Sequence, residues 1–247
     1  MHATLLVIGS SHYCEKSRWS LQKAGISFAE EGHAPFFHIR PVRAAGGTRT
    51  TPVLVSEDGV YGDSVDISGW IQSHPQAAWR PYGDQPEHRA EIERIERELG
   101  RKMGVLTRIL MYQEMLPYKA IVLRSLAHQT PPHEVEWVRR LYPVFSMLIR
   151  RGLGVSAHSA QRAHDAILGI FEEVEGQAEG EFLVGDTLSI ADITLAALAA
   201  PVLLPEQYGV SSLPTLTELP DHVQDTIGRF RQTACGQRAL RLYATHR

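Results

Sequence analysis

Hydrophobic periodicity changes character about a third of the way along this 247-residue chain, and that change limits the folds open to it. Before residue 73 short apolar runs alternate with helix starts; beyond residue 86 apolar residues recur at helical spacing almost to the end. Leu5, Leu6, Val7 and Ile8 form a continuous apolar run, the pattern of a buried strand, and a helix opens at about Cys14. Gly25 suits the left-handed position that closes such a helix. Residues 26–30 alternate as a second strand would, and residues 33–49, polar and rich in Gly and Arg, read as irregular. Residues 51–55 predict a strand beginning at a proline, Ser56-Glu57-Asp58-Gly59 a turn, and Val60-Tyr61 its hairpin partner. Asp63 is placed as the N-cap of a helix running to about Gln72, with Asp66 as a capping-box partner. Further helices are expected over 87–115, 133–151, 157–177, 189–203 and 221–243, the first ended by Pro117. The reading is a small α/β domain over 1–78, a linker at 79–86, and an all-helical domain over 87–247.

Composition narrows the function classes. A hydrophobic fraction of 43% with 21% charged residues is that of a globular protein able to bury two cores. The net charge of −3, with acids and bases interspersed, offers no footprint for nucleic acid or a membrane surface. No run approaches a membrane span, and the first residues lack the pattern of a secretory leader. Two cysteines, Cys14 and Cys235, do not make a disulfide scaffold, so a cytoplasmic setting is expected. The twelve histidines show no metal-ligand spacing, and no metal is expected.

The chemistry-bearing residues cluster in the first third. Ser11-His12-Tyr13-Cys14 lies between strand and helix, where unpaired N–H groups and the helix dipole favour an anion such as a thiolate. Ser11 can be a plain cap, or its hydroxyl can donate to a thiolate and lower the thiol's pKa, with His12 as a second donor. Cys14 can be packed and inert, or activated by the dipole. A cis bond at Thr51-Pro52 would leave the backbone of Val53 free to pair with an extended peptide ligand. Asp63 and Ser64 are explained by capping, yet the same pair suits the ammonium and carboxylate of an amino acid. Arg49, in the loop before the proline, is placed to meet a carboxylate. Ser189-Ile190-Ala191-Asp192 is a capping box read as structural.

Taken together, Ser11-His12-Tyr13-Cys14, Thr51-Pro52-Val53-Leu54-Val55, Asp63-Ser64 and the later Phe182-Leu183-Val184-Gly185-Asp186 and Ser189-Ile190-Ala191-Asp192 resemble the soluble glutathione transferase superfamily. The first of these looks like a glutaredoxin Cys-Pro-Tyr-Cys site with its leading cysteine replaced by serine. The resemblance implies a thioredoxin-like α/β N-terminal domain and an all-α C-terminal domain. It also implies glutathione as co-substrate and a cytosolic homodimer. By position, Ser11 would face the glutathione sulfur and Val53, after a cis Pro52 beside Thr51, would hold the cysteinyl part. Asp63 and Ser64 would hold the γ-glutamyl end and Arg49 the glycyl carboxylate. A small hydrophobic electrophile would lie between the domains, near Met103, Thr107, Arg108 and Tyr112. The expected reaction is conjugation of the glutathione thiolate to that electrophile. Thiol–disulfide exchange through Cys14, or glutathione binding without catalysis, are the alternatives. Two departures stand out: His12 replaces the proline usual in redox members, and extra length over 116–155 can reshape the second pocket.

Overall fold

The computed structural model describes residues 3–178 and 180–247. The N-terminal part runs β1 (Ala3–Val7), α1 (His12–Lys23), β2 (Phe28–Gly32), α2 (Ile39–Ala44), β3 (Val53–Ser56), β4 (Gly59–Tyr61) and α3 (Ser64–Ser73). Its four-stranded sheet has the order β2-β1-β3-β4, with β1 parallel to β2 and antiparallel to β3, and β3 antiparallel to β4. This mixed sheet with helices between its strands is the thioredoxin-like arrangement. The helical part comprises α4 (Pro86–Met115), α5 (Lys119–Ser125), α6 (Pro132–Arg140), α7 (Tyr142–Leu153), α8 (Ala157–Gln177), α9 (Ile190–Leu203), α10 (Asp221–Gln232) and α11 (Ala234–His246).

Several boundaries differ from the sequence expectation, each for a local reason. The second strand starts at Phe28, two residues late, because Ile26 still belongs to the end of α1. Gly25 sits at φ 70°, its N–H bonded to the Gln22 carbonyl, while the Ile26 N–H reaches back to the Leu21 carbonyl. That paired closure is a Schellman motif. The segment expected to be irregular contains α2, whose Pro41 falls in the first turn, where the missing N–H costs nothing. The single helix expected over 133–151 is two helices, broken at Leu141 ahead of Pro143, which can neither donate to nor clear the preceding turn. The helix expected over 221–243 is also divided: Thr233 leaves helical geometry and its side chain caps α11 through the Gly236 N–H at 3.0 Å. At α3, Asp63 Oδ1 accepts from the N–H groups of Val65 (2.6 Å) and Asp66 (3.3 Å). The Asp66 carboxylate makes no hydrogen bond back to the Asp63 N–H, so the reciprocal half of the expected box is missing.

The helical core centres on α9, nearly every residue of which is buried. Its start is fixed by Asp192, whose Oδ2 accepts from the Ser189 N–H and hydroxyl (2.9 Å each) and whose Oδ1 accepts from the Leu183 N–H at 2.8 Å. Helix α1 lies between the sheet and α9, and nine of its 12 residues are buried. Trp19 belongs to the helical core, where it meets Tyr243, whereas Cys14 and Leu21 face the sheet-side core. The buried acidic and basic residues Glu15, Lys16 and Arg18 of α1 form ion pairs. Arg18 holds Glu15 (2.6 Å) and both oxygens of Glu30 (2.7 Å), and Glu15 also takes Arg247 from the C-terminus at 2.7 Å. The segment between the domains is pinned: Trp79 Nε1 donates to the Leu188 carbonyl at 3.0 Å, and the Ile190 N–H donates to the Pro81 carbonyl at 2.7 Å. Among the described residues no helix is long and apolar enough to cross a membrane.

Candidate active site at the domain interface

Ser11 is the N-cap residue of α1, with extended backbone and no capping hydrogen bond from its side chain. An N-cap serine that does not cap keeps its hydroxyl available beside the positive end of the helix. The Thr51-Pro52 bond is cis, and Val53 opens β3 directly after it. Val53 is fully buried as a whole residue, main chain included, and lies opposite Leu6 in the sheet, so the expected backbone contact with a ligand is not open in this structure. Ser11 and Thr51 both lie near enough to the Cys14 thiol for their hydroxyls to oppose its upward pKa shift, so the helix start and the cis-proline loop lie side by side.

Cys14 itself is 0% exposed. Burial raises its thiol pKa, and the opposing hydroxyls of Ser11 and Thr51 do not overcome this. A reactive thiolate needs both access and a lowered pKa. Cys14 has neither. Cys235 is likewise buried, its thiol pushed up to about 12.

His12 points into the domain interface. Its Nε2–H donates to the Gly104 carbonyl of α4 at 3.0 Å, and the ring is buried. Its neighbour Tyr13 donates to the Gly100 carbonyl at 2.6 Å, and Gly104 carries no side chain because a Cβ there would collide with the Tyr13 hydroxyl. His12 therefore joins the two domains, and its imidazole is already engaged rather than free for a ligand. Burial, aided by the charge of Arg108 and opposed by the Gly104 carbonyl, pushes its pKa down to about 3 from 6.5. Below pH 6.5 the unfolded chain thus takes up a proton that the folded chain refuses. Stability held above that pH should fall progressively as pH drops towards about 3. His12→Gln keeps a side-chain N–H donor that does not titrate, so its stability should fall less steeply over this range. Urea denaturation of both proteins across it measures the difference, and parallel curves would contradict the assignment.

Ser64, at the start of α3, is buried, and its Oγ accepts from Lys16 Nζ at 3.4 Å. Asp63 is exposed and uses Oδ1 alone for both capping bonds. Arg49 is exposed, its carbonyl accepts from His38 Nε2 at 3.0 Å, and no contact brings its guanidinium to the other candidates.

A cavity of about 210 Å³ opens where Ser10, Ser11 and His12 face the helical domain. Arg108 and Tyr112 line it, as do Ile121, Val122 and Phe145 from the extra segment. Met103 and Thr107, expected there, are fully buried in the helix-packing face of α4 instead. The opposite wall comes from residues that sequence reasoning missed, among them Leu204, Tyr208 and Leu213. Tyr208 also donates to the Ser10 carbonyl at 3.2 Å, holding the loop from the helical side. It lies in a stretch without periodicity, and nothing local marks it. Among the described residues no group of three or more His, Cys, Asp or Glu side chains is arranged to hold a metal ion.

Comparison with known proteins accords with this geometry. Residues 5–79 match the family model described as glutathione S-transferase, N-terminal domain, and residues 156–227 match glutathione S-transferase, C-terminal domain. No curated protein matched by sequence. Among solved structures, a glutathione transferase of Phanerochaete chrysosporium is similar at TM-score 0.63 and 17% identity, covering 100% of this chain and 98% of its own. A glutathione S-transferase of Ceriporiopsis subvermispora in complex with glutathione gives TM-score 0.61 and 17% identity over 99% and 97%. A β-etherase of Sphingobium sp. gives 0.57 and 15% over 98% and 99%. Two matching domain models in order, on a thioredoxin-like sheet followed by a helical domain, place this chain in the glutathione S-transferase family.

Proposed function

We propose that the chain binds glutathione across the N-terminus of α1 and transfers its sulfur to an electrophilic carbon of an apolar molecule in the adjoining cavity. The observation that carries this reading is the Ser11 hydroxyl: it sits at a helix N-terminus, is not used for capping, and borders the cavity. Its solved relatives include one in complex with glutathione, which supports the choice of thiol.

In this reading Ser11 donates to the glutathione sulfur, favouring the thiolate over the thiol, and the released proton goes to solvent. The thiolate lone pair forms the new S–C bond as the bond to the leaving group breaks. At the γ-glutamyl end, Asp63 meets the ammonium with the oxygen that capping leaves free, and Ser64 meets the carboxylate beside the positive end of α3. Arg49 reaches the glycyl carboxylate. The protein's contribution is a lowered thiol pKa and proximity. The burial of Cys14 argues against thiol–disulfide exchange as the main activity.

The test is a titration of glutathione bound to the protein, followed by the ultraviolet absorbance of its thiolate. A thiol pKa below that of free glutathione is expected. Binding with no such shift points to a non-catalytic glutathione-binding protein, and absence of binding removes the reading altogether.

A further inference from the structure

Among the described residues, Arg108 is the one charged side chain lining the cavity; the histidine there is held neutral, and no carboxylate lines it. Its guanidinium makes no ion pair among the described residues. Nε donates only to the Gly104 carbonyl one turn back, at 3.3 Å, and the group lies 5.7 Å from the centre of the Tyr13 ring. The other walls are largely apolar, with Met111, Met115, Val122 and Phe145 among them. Arg108 is half-buried, and its charge acts on three rings around it, lowering His12 and opposing the upward shifts of Tyr13 and Tyr112. A partly desolvated guanidinium without a carboxylate partner leaves fork-shaped donor capacity unmet. A ligand that supplied the carboxylate would satisfy it.

Volume indicates how much of that ligand is sheltered. A cavity of ~150 Å³ accepts benzene, so about 210 Å³, open to solvent on one side, shelters one ring while its substituents extend towards the opening. We propose that Arg108 selects electrophiles in which a single apolar ring carries a carboxylate, pairing with that carboxylate while the reactive carbon lies towards Ser11. This rests on the glutathione transfer reading for its chemistry, but the recognition of the carboxylate does not.

Two aryl chlorides that react with glutathione, chlorodinitrobenzene and its ring-carboxylated analogue chlorodinitrobenzoate, make the comparison. The readout is the ratio of their kcat/KM values, each divided by its uncatalysed rate. The wild-type protein should favour the carboxylate, mainly through KM. Arg108→Met should reduce that ratio about 10- to 100-fold, the range for losing a charge-assisted pair, and Arg108→Lys should recover part of it. A ratio unaltered by Arg108→Met overturns the proposal. So does an equal loss for both substrates with weaker glutathione binding, which would assign Arg108 to glutathione. Equilibrium binding of unreactive dinitrobenzoate and dinitrobenzene, without glutathione, separates the two readings. If neither aryl chloride turns over yet the wild type holds dinitrobenzoate more tightly in an Arg108-dependent way, the transfer reading fails and this one stands. Equal binding of the two overturns it.

Discussion

Glu96→Ala should lower the unfolding free energy by about 3–5 kcal/mol, the usual cost of removing one partner from a buried ion pair. Lys16 Nζ lies 2.6 Å from Glu96 Oε1, and both side chains are almost wholly buried. The second carboxylate oxygen accepts from the Tyr82 hydroxyl at 2.8 Å, and the ammonium also reaches Ser64 Oγ. Removing the carboxylate would leave the Lys16 ammonium charged in an apolar interface and the Tyr82 hydroxyl without its acceptor. The pair joins α1 to α4 across the two domains, where both side chains are shut off from solvent. A double variant, Lys16→Met with Glu96→Leu, should recover most of the loss, since apolar residues of similar volume often replace such pairs at little cost. Denaturant midpoints at constant slope give the values. A single-variant loss below ~1 kcal/mol, the range of an exposed pair, would show that the charges are not sealed from solvent.

Ser11→Ala should reduce kcat/KM for glutathione conjugation by about 10²–10³-fold, the range for deleting one donor to a reacting anion. Its stability should hardly change, because the Ser11 side chain makes no capping hydrogen bond that alanine would lose. That contrast gives the experiment its force: a large kinetic loss at an unaltered denaturation midpoint cannot come from misfolding. The thiolate absorbance of bound glutathione should fall in parallel at neutral pH. Cys14→Ala supplies the control. Its thiol is fully buried and its pKa is raised, so activity should stay within a few-fold of wild type unless packing suffers. The opposite pattern, with Ser11→Ala active and Cys14→Ala dead, would transfer the chemistry to the protein's own sulfur.

The features legible in the sequence are those set by residues close together. Gly25 at the end of α1, Asp63 at the start of α3, the Ser189–Asp192 box and the stop at Pro117 each depend on neighbours within a turn. The cis bond before Pro52 is one of two readings its neighbours allow, and the family resemblance is what implies it. The breaks at Leu141 and Thr233 were legible too: Pro143 and a threonine with capping geometry mark them, yet apolar periodicity running through both sites outweighed those signals. The functional positions that went astray depend on distant partners. Its sequence position makes His12 a second donor to a thiol, but the carbonyl of Gly104, 92 residues away, engages it. On α4 the expectation grouped Met103, Thr107, Arg108 and Tyr112, and only the last two reach the cavity. Periodicity gives the faces of a helix; which face meets a cleft follows from how α8 and α9 pack against it, and those contacts are tertiary. Tyr208 shows the same limit without any helical pattern to help.

The placement of Trp19 and Cys14 on opposite sides of α1 bears on how the molecule comes apart. One helix supplies side chains to both cores, so neither half can surrender it without exposing the other's interior. The domains therefore share a single cooperative unit, and a fragment ending near residue 78 would carry an uncovered tryptophan and a Lys16 stripped of its Glu96 partner. Denaturation should accordingly give coincident curves by tryptophan fluorescence and by far-ultraviolet ellipticity, with the loop around Ser11 lost in the same step as the helical domain.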